Sequence, residues 1–179
     1  MIIKSFLTSR KSFMLPAFAA LAMFSMVFAS CGDDEEENMG GPSMENTKSY
    51  TINGKKYDVK SVGYYFNDTY GNFSILFTAE NLDLSRQLST APKLPYLKIN
   101  IPNEKCNMTC DLTQSLNSSY AIFYVQTNEG SFADFTSGKI YISIRSNKIK
   151  ALLTGQAEKG PKLELQYEGS VVRSEKEIW

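Results

Sequence analysis

The chain has 179 residues, 19 basic and 19 acidic side chains and therefore no formal net charge, and it contains no histidine. The lack of histidine excludes Ser-His-Asp and Cys-His catalysis and histidine-coordinated zinc. After Glu45 the chain has 16 basic and 13 acidic residues, and this net charge of +3 is too small and too evenly spread to indicate nucleic-acid binding, which requires a basic stripe on the domain. The sequence also lacks a Walker loop, a dinucleotide fingerprint and an EF-hand loop.

Residues 1–30 have the pattern of a secretory signal. The only charged residues before position 31 are three basic ones, and an apolar run from Phe13 to Ala29 follows them. This run approaches the length of a membrane span, which needs roughly 17 to 25 apolar residues. The small residues Ala29 and Ser30 stand before Cys31, and no basic stop-transfer cluster follows, so we expect a cleaved signal rather than a transmembrane anchor.

The residues around the predicted cleavage point carry a family resemblance. Phe28-Ala29-Ser30-Cys31 resembles a bacterial lipobox, and the run "CGDDEEEN" resembles the surface-export signal of Bacteroidota lipoproteins. This resemblance implies that Cys31 receives a diacylglyceryl group and becomes the N-terminus. It further implies a lipid-anchored protein of the outer membrane, exposed at the cell surface, with a periplasm-facing position as the alternative. Two or more acyl chains anchor a protein stably, whereas one binds only marginally.

Residues 31–48 have the composition of a tether. The stretch "GDDEEENMGGPSMENTK" is rich in acidic residues, Gly, Pro and Ser and has few large apolar residues. Such a segment buries too little surface to offset the entropy of ordering it. We therefore expect a flexible acidic tether between the anchor and a domain at residues 49–179.

From residue 49 onward, apolar residues recur with a period of two, which predicts β-strands. Asn53-Gly54 is a strong two-residue hairpin signal. In "NFSILFTAE", Phe73, Ile75 and Phe77 share one predicted face. Further strands are predicted in "LPYLKINI", "SYAIFYVQT", "GKIYISIRS", "KIKALLTGQ" and "KLELQYEGSVV".

These elements predict an all-β fold. About eight short strands, with turns every 8 to 12 residues, are typical of an antiparallel β-sandwich or a closed barrel. We expect a single β domain, because about 130 residues suffice for one core. The sandwich is the favoured prediction and a closed lipocalin-like barrel is the alternative.

Cys106 and Cys110 are the cysteines of the predicted domain. In an oxidising envelope we expect this pair to form a disulfide. Because residues four apart in an extended strand have Cα atoms about 13 Å apart, the segment must turn before the bond can form. A redox-active pair is the alternative, although the spacing is not C-x-x-C.

Four tyrosines are candidates for ligand contact, because tyrosine combines a large apolar surface with a polar tip. They are Tyr65, Tyr124 and Tyr141, which the strand pattern places on the faces opposite the core, and Tyr70, which follows in a predicted turn. The alternative is that they cover a second layer of the fold. Glu164 and Glu168 share a predicted strand face, where a solvated role is favoured over paired-acid catalysis.

The sequence therefore predicts a non-enzymatic, membrane-anchored envelope lipoprotein with a binding or assembly module. We expect its partners to be the membrane, through the lipid anchor, and a glycan or an envelope protein, and we expect no nucleic acid, cofactor or metal. The alternative is a barrel that carries a small apolar ligand, with Phe73, Phe77 and Phe123 lining its cavity.

Overall fold

The computed structural model describes residues 39–45, 47–113, 121–125 and 130–178. Cys31, the signal predicted at residues 1–30 and the acidic run after Cys31 lie outside these residues, so lipidation stays a prediction. Within the described ranges, no helix has both the length and the apolar character needed to cross a bilayer.

Strands make up most of the described chain. In chain order they are β1 (Ser49–Ile52), β2 (Lys55–Asp58), β3 (Ser61–Asn67), β4 (Asn72–Thr78), β5 (Tyr96–Pro102), β6 (Thr109–Asp111), β7 (Ala121–Val125), β8 (Gly130–Phe132), β9 (Phe135–Arg145), β10 (Lys148–Ala157), β11 (Lys162–Ser170) and β12 (Val172–Arg173). The sequence predicts about eight of them. The difference of four arises because β6, β8 and β12 are too short to show an alternating pattern, and because the sequence predicts β2 and β3 as one continuous strand ending at Phe66.

The strands form two six-stranded sheets. Sheet I has the order β2-β1-β11-β10-β9-β6, and sheet II has the order β12-β3-β4-β5-β7-β8. The predicted β-sandwich is therefore confirmed, and the closed lipocalin-like barrel is wrong. Neighbouring strands pair antiparallel except for β12, which pairs parallel to β3 with Val172 opposite Gly63.

The main core fills the space between the sheets. Ile52 and Leu165 from sheet I and Ile75 and Ile99 from sheet II are almost fully buried members of one apolar cluster. The alternation predicted for β4 is confirmed, because Ile75 and Phe77 are buried in this cluster and Phe73 packs against it. One face of each long strand therefore packs in the main core and the other faces outward. The face on which a candidate side chain lies determines whether it can contact a ligand.

The predicted hairpin at Asn53-Gly54 is confirmed. It joins β1 to β2, with Ile52 opposite Lys55 in the register. Asn53 has φ 51° and Gly54 has φ 79°, as a two-residue hairpin turn requires.

Residues 39–45, which we call the strap, lie on the outer face of sheet I. Met39 is only 3% exposed. Its carbonyl oxygen accepts a hydrogen bond from the Tyr141 hydroxyl at 3.3 Å and lies 3.4 Å from the Ser143 hydroxyl, both on β9. The sequence assigns these residues to the tether and does not predict this contact.

Candidate binding surface

The outer face of sheet II begins with a row of polar side chains. Val62 and Tyr64 of β3 point into the main core. Tyr65, the next residue along the strand, therefore faces outward. In the register of the sheet, Tyr65 is opposite Ser74, and Ser74 is opposite Asn100. We call these three residues the polar row.

The polar row offers hydrogen-bonding groups without a charge. Tyr65 and Asn100 are partly exposed. The Ser74 hydroxyl is buried and has no hydrogen-bond partner in the described part of the chain. The Tyr65 phenol and the Asn100 amide can each donate and accept hydrogen bonds, so the exposed part of the row suits a neutral ligand rich in hydroxyl groups.

Beyond the polar row, the outer face of sheet II is apolar. Its second cluster of buried residues consists of Leu76, Leu84, Tyr96, Val125 and Ile178. The loop after β4 and the segment after β12 cover this cluster, and the Leu88 amide donates a hydrogen bond to the Ile178 carbonyl at 2.7 Å. An ion pair of 3.1 Å between Lys98 Nζ and Glu177 Oε1 joins the same segment to β5. The C-terminal segment, together with the loop after β4, therefore covers the apolar part of the outer face of sheet II.

The edge strand β8 carries an exposed aromatic side chain on the same face of sheet II. Phe132 is 66% exposed. It packs edge to face against Phe123 of the neighbouring strand, with ring centroids 5.0 Å apart. The sequence analysis misses Phe132 because three residues carry no periodic pattern. The sequence does contain Gly130 two residues before Phe132. This glycine leaves room for the Phe123 ring, which a Cβ atom at position 130 would overlap.

The structure separates the four predicted tyrosines. Tyr65 and Tyr70 lie on the same β3–β4 hairpin, Tyr65 on the outer face and Tyr70 in the turn, where it is 78% exposed. The predicted outward position is wrong for Tyr124, which packs against the main core near Gly160. Tyr141 lies on the outer face of sheet I as predicted, but it is only 5% exposed because the strap covers it, so it is not free to contact a ligand.

The aromatic set proposed for a ligand cavity is not brought together. Phe77 is buried in the main core and contacts Tyr167 edge to face, with ring centroids 5.9 Å apart. Phe73 packs against the same core. Phe123, however, belongs to the cluster on the opposite face of sheet II, so the prediction that it points inward is wrong.

The carboxylates that share a face of β11 are paired with lysines. Glu164 Oε1 lies 2.6 Å from Lys162 Nζ, and Glu168 Oε2 lies 3.6 Å from Lys150 Nζ. The two carboxylate side chains are 41% and 49% exposed to solvent. This arrangement favours the predicted solvated role over catalysis.

Cys106 and Cys110 are free thiols in the structure, both half-buried. The chain turns between them as the disulfide prediction requires, with Asn107 in a left-handed conformation at φ 64°, just after a 3₁₀ turn at Asn103–Lys105 that ends at Cys106. Asn107 is held on β9, because its amide donates to the Ile142 carbonyl at 2.7 Å and its side-chain oxygen lies 2.7 Å from the Ser143 hydroxyl. The disulfide itself stays a prediction.

The thiol pair predicts an alkaline loss of stability. Burial, assisted by the neighbouring Cys110, raises the pKa of Cys106 from 9.0 to about 11. The unfolded chain therefore releases this proton first, so the free energy of unfolding is fully retained below pH 9 and falls as the pH rises towards 11. Urea unfolding of the reduced protein between pH 7 and 11 measures this fall.

The matched variant isolates the cysteine from the tyrosines, since burial also raises the pKa of Tyr50. We expect Cys106→Ser to lose the part of the fall between pH 9 and 11. Oxidised protein should behave like the variant if the disulfide forms, with a mass lower by two hydrogen atoms. Identical pH profiles for the wild type and Cys106→Ser would contradict the assignment.

Comparisons of the chain with protein-family models, curated proteins and solved structures returned no match. The functional argument therefore rests on the residues of this chain.

Proposed function

We propose that the protein is a lipid-anchored, non-enzymatic lipoprotein of a bacterial outer membrane that binds a cell-surface glycan through the outer face of sheet II. The anchor rests on the resemblance of residues 28–31 to a lipobox and on the acidic run that follows. The binding site rests on one structural observation, the exposed Phe132 ring backed by Phe123 on the outer face of sheet II.

The chemistry of this face favours a neutral sugar. An exposed aromatic ring offers a flat apolar surface on which the apolar face of a sugar ring can stack. The polar row supplies uncharged donors and acceptors on the same sheet face. The nearest lysine, Lys98, is engaged with Glu177, so the row itself presents no cation to an acidic ligand.

Removal of the Phe132 ring should weaken glycan binding without unfolding the domain. We expect Phe132→Ala to lower the affinity by about tenfold or more, because exposed aromatic anchors dominate the binding energy of such surfaces. A glycan array identifies the ligand, and titration calorimetry measures its affinity. Val172→Ala is the matched control, since Val172 is an exposed apolar residue at the opposite edge of the same sheet.

The outcomes separate the site from a general effect on the fold. An equal loss of affinity in both variants, or no loss in Phe132→Ala, would place the binding site elsewhere. Absence of binding to neutral and acidic glycans alike would reject the glycan proposal.

A protein ligand is the second candidate, and the edge position of β8 favours it. All three residues of β8 are exposed, and among the residues that the structure describes the strand pairs with β7 on one side only. A peptide can add to such an edge through main-chain hydrogen bonds. A partner recognised in this way should keep its affinity in Phe132→Ala, which distinguishes it from a stacked glycan.

A further inference from the structure

The strap joins the tether to the domain at a different place from the one that the chain order suggests. The first strand of the domain, β1, lies next to the β2 edge of sheet I. The strap lies on the outer face of this sheet with Met39 above β9, and Thr47, two residues after the strap, lies above β11. Thr47 Oγ1 donates to Gln166 Oε1 at 2.6 Å, and the Met39 carbonyl meets Tyr141.

Several contacts fasten the strap at its β9 end. Met39 is almost fully buried, as are Tyr141 and Ser143 beneath it. A Cβ atom on Gly41 would overlap the Tyr141 ring, so the strap backbone lies directly on that ring. Asn107, just before β6, lies within hydrogen-bond distance of Ser143. The attachment point is therefore beside the β6 edge, opposite the β2 edge.

The strap shortens the reach of the anchored chain. From Cys31 to Met39 there are eight peptide steps, which span at most about 29 Å. From Cys31 to Ser49 there are eighteen steps, which span up to about 65 Å. A domain of this size is about 35 to 40 Å across. A tether that ended at Ser49 would be longer than the domain is wide and would let the domain rotate freely at the membrane. A tether that ends at Met39 is shorter than the domain is wide, so it holds the Met39 side of the domain near the anchor.

We infer that the strap sets the orientation of the domain at the membrane, with the β6 edge of sheet I towards the lipid surface and the β2 edge away from it. This inference rests on the proposed lipid anchor. Sheet II lies on the other side of the sandwich from the strap, so its outer face stays accessible to a ligand in solution.

Energy transfer from the domain to the membrane tests this orientation. The acylated protein, with Cys106 and Cys110 changed to Ser, is reconstituted in phosphatidylcholine vesicles that carry a headgroup acceptor dye. A donor dye is placed on Thr109→Cys in β6 or on Lys56→Cys in β2, both exposed edge positions. Because six strands about 4.8 Å apart separate the edges by about 24 Å, we expect on the order of twofold more transfer from position 109.

Release of the strap should remove the difference between the two positions. Met39→Asp places a charge in a site that is 3% exposed, whereas Ser43→Asp makes the same charge change at an exposed strap position. We expect equal transfer from the two edges in Met39→Asp and an unchanged difference in Ser43→Asp. Equal transfer in the parent protein, or a difference that survives Met39→Asp, would overturn the inference.

A second measurement separates the strap from the anchor. In the chain without lipid, peroxide should oxidise Met39 more slowly than Met108, which is exposed, because access limits thioether oxidation. Equal rates would show that the strap is not fastened. Slow oxidation of Met39, combined with a protein from the native membrane whose mass shows no acyl groups, would instead keep the strap and reject the anchor, and with it the orientation.

Discussion

We expect Gly138→Ala to lower the free energy of unfolding by about 3 kcal/mol or more. Gly138 lies in β9 with φ 145°, a conformation that residues with a side chain rarely adopt. A Cβ atom there would overlap the Thr154 carbonyl oxygen and lie 2.6 Å from Cα of Gly155. These are backbone atoms of the paired strand β10, with Gly155 directly opposite Gly138 in the register, so no side-chain rotation relieves the overlap.

Gly54→Ala is the matched control for this prediction. Gly54 also has a positive φ, 79°, but a Cβ atom there would meet nothing within 4 Å. Only the conformational penalty of about 1 to 2 kcal/mol then applies. Urea unfolding of both variants under the same conditions measures the difference. Similar losses would show that conformation alone, and not the contact between β9 and β10, makes Gly138 necessary.

The sequence predicts the shared faces of the long strands because burial of one face imposes a period of two. Phe73, Ile75 and Phe77 follow this rule, and the structure places all three on the core side. The same alternation cannot show which face is the inner one when both faces are covered. Phe123 is predicted inward and Tyr124 outward, and their positions are reversed because the outer face of sheet II has an apolar cluster of its own.

The contacts that shape the candidate sites come from distant parts of the chain. Tyr141 alternates with core isoleucines and would be exposed, except that a segment about a hundred residues earlier lies over it. Met39, the residue that anchors this segment, stands among glycine, proline and acidic residues whose composition predicts a tether. Composition indicates whether a whole segment can bury enough apolar surface to offset the entropy of ordering it. It does not detect a single methionine side chain that is buried against a distant part of the fold.

Phe132 shows the corresponding limit for short elements. A three-residue strand has no period to detect, and its exposed ring becomes a candidate only when the neighbouring Phe123 and the uncovered edge of the sheet are known. The polar row depends in the same way on the pairing of β3, β4 and β5. The Phe132–Phe123 pair and the polar row both depend on the register between neighbouring strands, which the sequence of one strand alone does not determine.

The largest effect on function is expected from Cys31→Ser. The wild-type protein isolated from its native membrane should have the mass of a chain that begins at Cys31 and carries acyl groups, and protease treatment of whole cells should remove it. A serine hydroxyl does not replace the thiol as acceptor of the diacylglyceryl group. The variant should therefore lack the acyl mass and its attachment to the outer membrane, since stable anchoring requires two or more acyl chains.

Cys106→Ser is the matched control, because it removes a thiol of the folded domain and leaves residues 28–31 unchanged. We expect this variant to keep the acyl mass and the membrane attachment. An unmodified wild-type chain would reject the anchor, whereas an acylated chain that whole cells protect from protease would favour the periplasm-facing alternative. In that case the outer face of sheet II would meet periplasmic ligands, and the search for its partner would begin with envelope components rather than with glycans outside the cell.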